Sequence, residues 1–117
     1  MKLPAATEFV PLKPDVFAIL LVLLDGDAHG YAIMQRAPTQ STGTGRLQAG
    51  ALYRILKRML DERLITELER RQVDGAPDRR RRYYRITELG REVATAEAQR
   101  MAELLAFSQT RDLLGKA

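Results

Sequence analysis

Arginine is concentrated in one short stretch of the chain, residues 78–87, which reads DRRRRYYRIT. Guanidinium groups hold phosphate through paired, charge-assisted hydrogen bonds, so four consecutive arginines are typical of a polyanion-binding segment. The two tyrosines and the isoleucine that follow are typical of an ordered strand. Three settings could produce this stretch: a disordered basic tail, a membrane-surface patch, or a structured segment that holds nucleic acid.

Catalytic and metal-binding chemistry is sparse in the rest of the sequence. The chain has no cysteine and a single histidine, His29, so thiolate zinc sites and cysteine nucleophiles are excluded and no second imidazole can complete a ligand set. It also lacks a GxxxxGK[ST] loop, an HExxH pair and a glycine-rich fingerprint after a strand. We therefore expect no enzyme, no metal site and no cofactor, and we expect His29 to start a helix or to pack.

The excess of positive over negative charge is confined to the middle third of the 117 residues. Residues 1–50 hold four Lys/Arg and four Asp/Glu, residues 51–90 hold eleven and seven, and residues 91–117 hold four and four, which gives the net charge of +4. A localised excess of this kind indicates an anionic partner more strongly than the net charge does.

The sequence contains no segment typical of export or membrane insertion. The first residues lack an apolar signal core, and the longest apolar run, residues 16–24, is about half of a bilayer span. We therefore expect a soluble, cytoplasmic, single-domain protein.

Hydrophobic periodicity predicts three helices in the first half of the chain. The first begins at Pro14 and is apolar nearly all round, and the second covers residues 28–37 with Tyr31, Ile33, Met34 and Ala37 on its apolar side. The third runs from about residue 48 to residue 65. Its apolar residues recur at helical spacing, while its opposite side carries Tyr53, Arg54, Lys57 and Arg58.

Two alternating segments predict a β-hairpin after the third helix. Residues 64–71 and 79–86 alternate with period two, and the VDGAPD sequence between them is a turn signal. This pattern places Tyr84 and Ile86 on one face and Tyr83 and Arg85 on the other. The arginine run therefore belongs to an ordered hairpin, and Thr87 is expected to cap a long last helix.

These elements predict a mainly α fold with a small β-hairpin, a winged helix-turn-helix at residues 14–87. An N-terminal extension, residues 1–13, precedes it, and a C-terminal dimerisation helix within residues 88–117 follows. In such a fold the third helix enters the major groove of double-stranded DNA and the hairpin, or wing, lies along the phosphates. The predicted DNA-binding residues are Gln48, Gly50, Ala51, Tyr53, Arg54, Lys57, Arg58, Arg79, Arg80, Arg81 and Arg82.

The contacts of these residues divide by chemistry. We expect Gln48, Ala51 and Arg54 to reach base edges or the groove, because they lie near the start of the third helix. Tyr53 and Lys57 are assigned to phosphates. The four wing arginines are assigned to the DNA backbone, where contacts give affinity but no sequence information.

The last helix predicts a homodimer. Its apolar stripe continues for several turns past the wing, farther than a core of this size can cover. A two-fold dimer presents two recognition helices about one DNA turn apart, which predicts a pseudo-palindromic operator. Met101 and Phe107 are candidates for lining an effector pocket between the two halves, with plain helix packing as an equal alternative. The predicted interface residues are Val93, Ala96, Met101, Leu104, Leu105 and Phe107.

The segments VLLDGDAHGYAIMQR, GALYRILKRMLDERLI and RRRRYYRITELGREV resemble the PadR family of bacterial transcriptional regulators over residues 17–93. The resemblance implies a homodimeric winged-helix repressor of the short branch, with a single C-terminal helix and a small aromatic effector that changes the spacing of the recognition helices. Tyr53 and Arg54 match the family's LYR motif, and Gly50 matches its tight start of that helix. The chain departs from the family at Ala51, where a threonine is common, and at Arg63, where a glycine is common.

A winged-helix protein-interaction module without specific DNA binding is the alternative. A module of that kind would not require a basic outer face on the third helix. The cationic side chains there therefore favour DNA binding over this alternative.

Overall fold

The structure, a computed structural model, describes residues 4–38, 48–68, 82–110 and 113. Helix α1, Pro14–Leu24, starts with a proline, which is suited to the first helical position because its missing N–H needs no partner there. Ile19, Leu20 and Leu23 are fully enclosed by the other elements. The prediction of a central core helix is confirmed.

The second helix begins two residues later than predicted, because the chain first pairs as a short strand. Strand β1, Ala28–His29, lies antiparallel to a later strand, and helix α2 follows at Gly30–Arg36. His29 Nδ1 accepts a hydrogen bond of 3.1 Å from the Ala32 N–H and so caps the helix. The expected role of His29 at a helix start is confirmed.

Tyr31 was predicted on the apolar side of α2, and this prediction is wrong. Its side chain is 52% exposed, and its ring stacks beside His29 with the ring centroids 6.4 Å apart. The buried residues of α2 are Gly30 and Ile33. Residues two positions apart on a helix differ by about 200° in direction, so Tyr31 and Ile33 cannot share a face.

Helix α3 spans Ala49–Asp61, shorter at its C-terminal end than predicted. Its apolar side buries Leu52, Leu56 and Met59. Arg63, two residues after the end of the helix, has a φ of 65°, in the left-handed region. The chain turns there and continues into strand β2, Ile65–Leu68. The residues at the predicted end of the helix therefore belong to the sheet.

The described strands form an antiparallel sheet in the order β1-β3-β2, with β3 at Tyr83–Ile86. Ile65 pairs with Ile86, and Leu68 pairs with Tyr83. Tyr84 and Ile86 are buried while Arg85 is exposed, so the predicted alternation of the second strand is confirmed. The predicted alternation of the first strand is wrong, because Ile65 and Leu68, on opposite faces of β2, are both buried. The predicted turn, and residues 69–81 as a whole, lie outside the described residues.

Helix α4, Glu88–Gln109, has two unlike halves. Its start is capped by Thr87, whose Oγ1 accepts the Gly90 N–H at 3.0 Å and donates to the Arg63 carbonyl at 2.7 Å. The first half buries Leu89, Val93 and Ala94 against the core, whereas residues 101–107 are all exposed. The second half of α4 therefore projects past the core formed by the other described residues.

Residues 4–13 pack beside α4 and include a 3-10 turn at Ala6–Glu8. The Leu12 N–H donates to Glu97 Oε1 on α4 at 3.2 Å, and the Glu97 carboxylate also receives two hydrogen bonds from Arg100, of 2.9 and 2.7 Å. Together with α1–α3 and the sheet, this arrangement confirms the predicted winged helix-turn-helix followed by a long helix. Among the described helices, none has both the length and the apolar character needed to span a bilayer.

Candidate nucleic-acid interface

The outer face of α3 is polar and cationic. Tyr53, Arg54, Lys57 and Arg58 are exposed, whereas the opposite side of the helix packs into the core. Of the three cations Arg54, Lys57 and Arg58, only Arg58 has an ion-pair partner among the described residues. Its Nε lies 3.3 Å from Glu62 Oε1. Exposed i,i+4 pairs of this kind are weak, so all three cations can turn toward an anionic ligand.

The beginning of α3 is open to solvent. Gln48 occupies the N-cap position without a side-chain capping bond, and Gly50 is exposed. A Cβ added at Gly50 would meet no atom within 4 Å, so packing within the protomer does not require a glycine at this position. Ala51 is half-buried and presents little surface. Gln48 is therefore the polar side chain that this end of the helix offers.

Tyr53 links the two helices of the helix-turn-helix motif. A Cβ at Gly30 would lie 2.8 Å from the Tyr53 hydroxyl oxygen, so any other residue at the start of α2 would require the Tyr53 ring to shift. Because Tyr53 is still about half exposed, its ring both fixes the position of α3 and forms part of the outer face.

Two arginines of the wing, Arg82 just before β3 and Arg85 within it, have different surroundings. The Arg82 side chain is 73% exposed, with Nη1 3.9 Å from Glu67 Oε1, a loose contact. Arg85 instead forms a fork with Asp27, with Nε–Oδ1 and Nη2–Oδ2 distances of 3.0 and 2.7 Å, and this hydrogen bonding raises the pKa of Arg85. Arg85 therefore fixes β3 to the loop before β1, and Arg82 is the side chain that can approach a ligand.

Three of the predicted wing arginines, Arg79, Arg80 and Arg81, lie outside the described residues. Strand β3 places Arg82 at the edge of that segment. The phosphate role of the whole arginine run remains a prediction.

Tyr84 lies at the centre of the sheet, between Ala28 and Glu67 of the neighbouring strands. Burial is the main cause that raises the pKa of its phenol, with the negative charge of Glu67 as the next cause. Tyr83 is half-buried, and its ring meets that of His29 edge-on at 5.2 Å. Both rings are therefore structural parts of the wing.

The predicted dimer surface on α4 is divided between core and solvent. Val93 is 0% exposed inside its own protomer, so it has no surface to offer a partner and is removed from the predicted interface. Ala96 is half-buried. Met101, Leu104, Leu105 and Phe107 are 46–58% exposed.

Sequence reasoning missed two polar contacts that shape this surface. The Asp27–Arg85 fork joins residues 58 positions apart and has no local sequence signal. Glu97 did have a local sequence signal, because it interrupts the apolar stripe of α4 four residues after Val93 and is followed at i+3 by Arg100. Across the described part of the chain, no three His, Asp or Glu side chains come together in a metal-binding group.

The sequence model of the transcriptional regulator PadR-like family matches residues 19–96, more than half of the chain. The chain belongs to the PadR-like family. The matched residues run from α1 into the first half of α4, so they include the whole helix-turn-helix and the described wing strands. Members of this family are transcriptional regulators, in agreement with the expectation that the chain is not an enzyme.

Two solved structures have a similar fold. A PadR family transcription regulator from Clostridium difficile R20291 superposes with a TM-score of 0.62 at 25% identity, over 83% of this PadR-like chain and 95% of that one. A transcriptional regulator from Clostridium thermocellum, Cth-833, shares the fold with a TM-score of 0.62 at 24% identity, over 86% and 89% of the two chains.

The chain is also 36% identical, over 86 residues, to an uncharacterized 37.1 kDa protein in transposon TN4556 of Streptomyces fradiae. The match covers 74% of this PadR-like chain but only 22% of that protein.

Proposed function

We propose that this PadR-like chain is a sequence-specific repressor that binds double-stranded DNA as a homodimer. The observation that carries the proposal is the outer face of α3, where Tyr53, Arg54 and Lys57 are exposed together in a helix-turn-helix motif. The wing strand begins beside Arg82, so a second cationic element belongs to the same domain. These are the two elements with which winged-helix proteins hold the major groove and the adjacent phosphates.

Base recognition is assigned to the start of α3. Gln48 and Arg54 carry side chains that can form hydrogen bonds with base edges, and Ala51 offers a small apolar contact. The phosphate contacts are assigned to Tyr53, Lys57, Arg58 and the wing arginines Arg79, Arg80, Arg81 and Arg82. Sequence-dependent DNA shape adds to the specificity.

Homodimerisation is assigned to the second half of α4. In its first half the helix buries Val93 and Glu97 against its own domain, and the same face continues through Met101, Leu104 and Leu105. Because the described part of the protomer does not cover this continuation, a second copy is the natural partner. The dimer would recognise a pseudo-palindromic operator, and a small aromatic effector would release it by changing the spacing of the two α3 helices through α4.

The test is fluorescence anisotropy of the protein with a labelled duplex from upstream of its own gene and with a scrambled duplex. We expect a preference for the native duplex at physiological salt, and we expect Arg54→Ala to reduce that preference. Arg91→Ala removes the same charge from an exposed position on α4 and serves as the matched control.

Each other result has a definite meaning. Equal, salt-sensitive binding to both duplexes would identify a non-specific DNA binder. Binding to neither duplex would favour the protein-interaction module.

A further inference from the structure

A groove of about 930 Å³ lies between the N-terminal segment, residues 4–13, and α3. Its volume is within the range of small-molecule sites in proteins. The groove is lined by apolar side chains from both elements and from the start of α1. These include Phe9, Leu12, Val16 and Ile55, all of which are partly exposed.

The charged side chains around this groove have an excess of positive charge. Lys13, Arg54, Arg58 and Arg63 line it together with three carboxylates, Glu8, Asp61 and Glu62. Two of the carboxylates already have partners: Glu8 Oε2 accepts the Ala5 N–H at 2.8 Å, and Glu62 pairs with Arg58. Lys13, Arg54 and Arg63 form no ion pair with any described residue, so their charges are available to an anion.

Arg63 holds its place at a conformational cost. Its φ of 65° is in the left-handed region, which disfavours every side chain with a Cβ and suits glycine. The surrounding bonds maintain this backbone, because the Arg63 N–H donates to the Leu60 carbonyl and the Arg63 carbonyl accepts from Thr87 Oγ1. An arginine at such a position, with its side chain lining a cavity, points to a role in binding.

We propose that this groove binds a small organic anion with an apolar body. The body lies on the apolar lining, and the acidic group is held by Arg63 with support from Lys13. Arg54 lines the same groove and is also assigned to base recognition, so a bound anion competes for its charge. This coupling to DNA rests on the proposed function, whereas the binding itself does not.

The segment on the other side of the groove is fixed to α4. The Leu12 N–H bonds to Glu97, and Leu12 is also part of the apolar lining. A ligand in the groove would therefore contact both α3 and the N-terminal segment that packs against α4.

The test uses a matched pair of fluorescent probes, 1-anilinonaphthalene-8-sulfonate and its uncharged analogue N-phenyl-1-naphthylamine. We expect Arg63→Gly to weaken sulfonate binding by roughly tenfold, the effect of losing one charge-assisted hydrogen bond, and to leave binding of the neutral probe unchanged. Arg63→Lys keeps the charge and should retain most of the sulfonate affinity. The melting temperature of Arg63→Gly should not fall, because glycine suits the backbone there.

The proposal is overturned if Arg63→Gly leaves sulfonate affinity unchanged, or if the affinities for both probes fall together. The coupling is measured separately, as the anisotropy of the native duplex with and without the sulfonate. The expected result is a weaker complex with the wild-type protein and no change with Arg63→Gly. A protein that binds the sulfonate through Arg63 but binds no duplex would contradict the proposed function and leave the site standing.

Discussion

At the scale of single residues, two helical glycines that look alike in the sequence have opposite surroundings. A Cβ at Gly90 would collide with the Leu64 carbonyl oxygen and lie 2.8 Å from Ile86 Cγ1, so α4 can approach the sheet only through a glycine. A Cβ at Gly50 would project into open space. The first glycine is required by packing within the protomer, and the second is not.

We therefore expect Gly90→Ala to destabilise the protein by about 1–3 kcal/mol, the cost of overpacking a closed interface. Gly50→Ala is the matched control and should change the stability by at most about 0.5 kcal/mol, because Gly50 is the second residue of α3 and the full helix propensity difference applies only in a helix interior. Urea unfolding followed by circular dichroism measures both. Equal effects of the two substitutions would mean that the contact between α4 and the Leu64 carbonyl is looser than the structure shows.

At the scale of elements, the buried Glu97 carboxylate joins the N-terminal segment to α4. The hydrogen bonds from Arg100 are the main cause that lowers the pKa of Glu97, against the opposing effect of burial, and the Leu12 N–H adds to the lowering. A carboxyl whose pKa is lower in the folded state contributes stability above its unfolded pKa. That contribution is lost as the pH falls through the folded value.

Glu97→Gln should therefore lower the free energy of unfolding by about 1–2 kcal/mol at neutral pH, because a charge-assisted hydrogen-bond network is weakened. The difference from the wild type should shrink as the pH falls below the ordinary carboxyl range. Glu103→Gln, at an exposed position on the same helix, is the control. A difference that stays constant from neutral to acidic pH would show that charge is not what Glu97 contributes.

The elements differ in how far the sequence could predict them. The pattern of apolar residues predicted α1, α3, α4 and the two wing strands, because each of these segments is long enough to show a pattern. Strand β1 has two residues, too few for any period, and it forms only because β3 offers it a free edge. The same limit applied to the DNA-facing surface: the exposed cations of α3 followed from helical spacing, whereas the placement of Tyr53 against Gly30 depends on the packing of α2 on α3.

At the scale of the whole molecule, the proposed homodimer places its interface on the exposed half of α4. If the protein is a dimer of this kind, Leu104→Glu with Leu105→Glu should convert it into a monomer, because two charges would replace apolar side chains at the centre of the proposed interface. Analytical ultracentrifugation measures the mass, and circular dichroism should show an unchanged fold because both side chains are exposed. Glu88→Gln and Arg91→Gln at the other end of α4 form the control. A double variant that stays dimeric would place the interface elsewhere.

The salt dependence of DNA binding reports how many phosphates the complete assembly neutralises. The logarithm of the binding constant falls with the logarithm of salt concentration by about 0.9 for each phosphate contact. A two-fold dimer places both wings on one duplex, so Arg82→Ala removes two contacts and should reduce the slope by almost two, on native and scrambled duplexes alike. A monomeric complex would lose only about 0.9, which separates the two assemblies in a single titration. Arg91→Ala changes the net charge equally and should leave the slope near that of the wild type. If both variants gave the same slope, Arg82 would make no phosphate contact, and the phosphate contacts would have to come from α3 or from the other wing arginines.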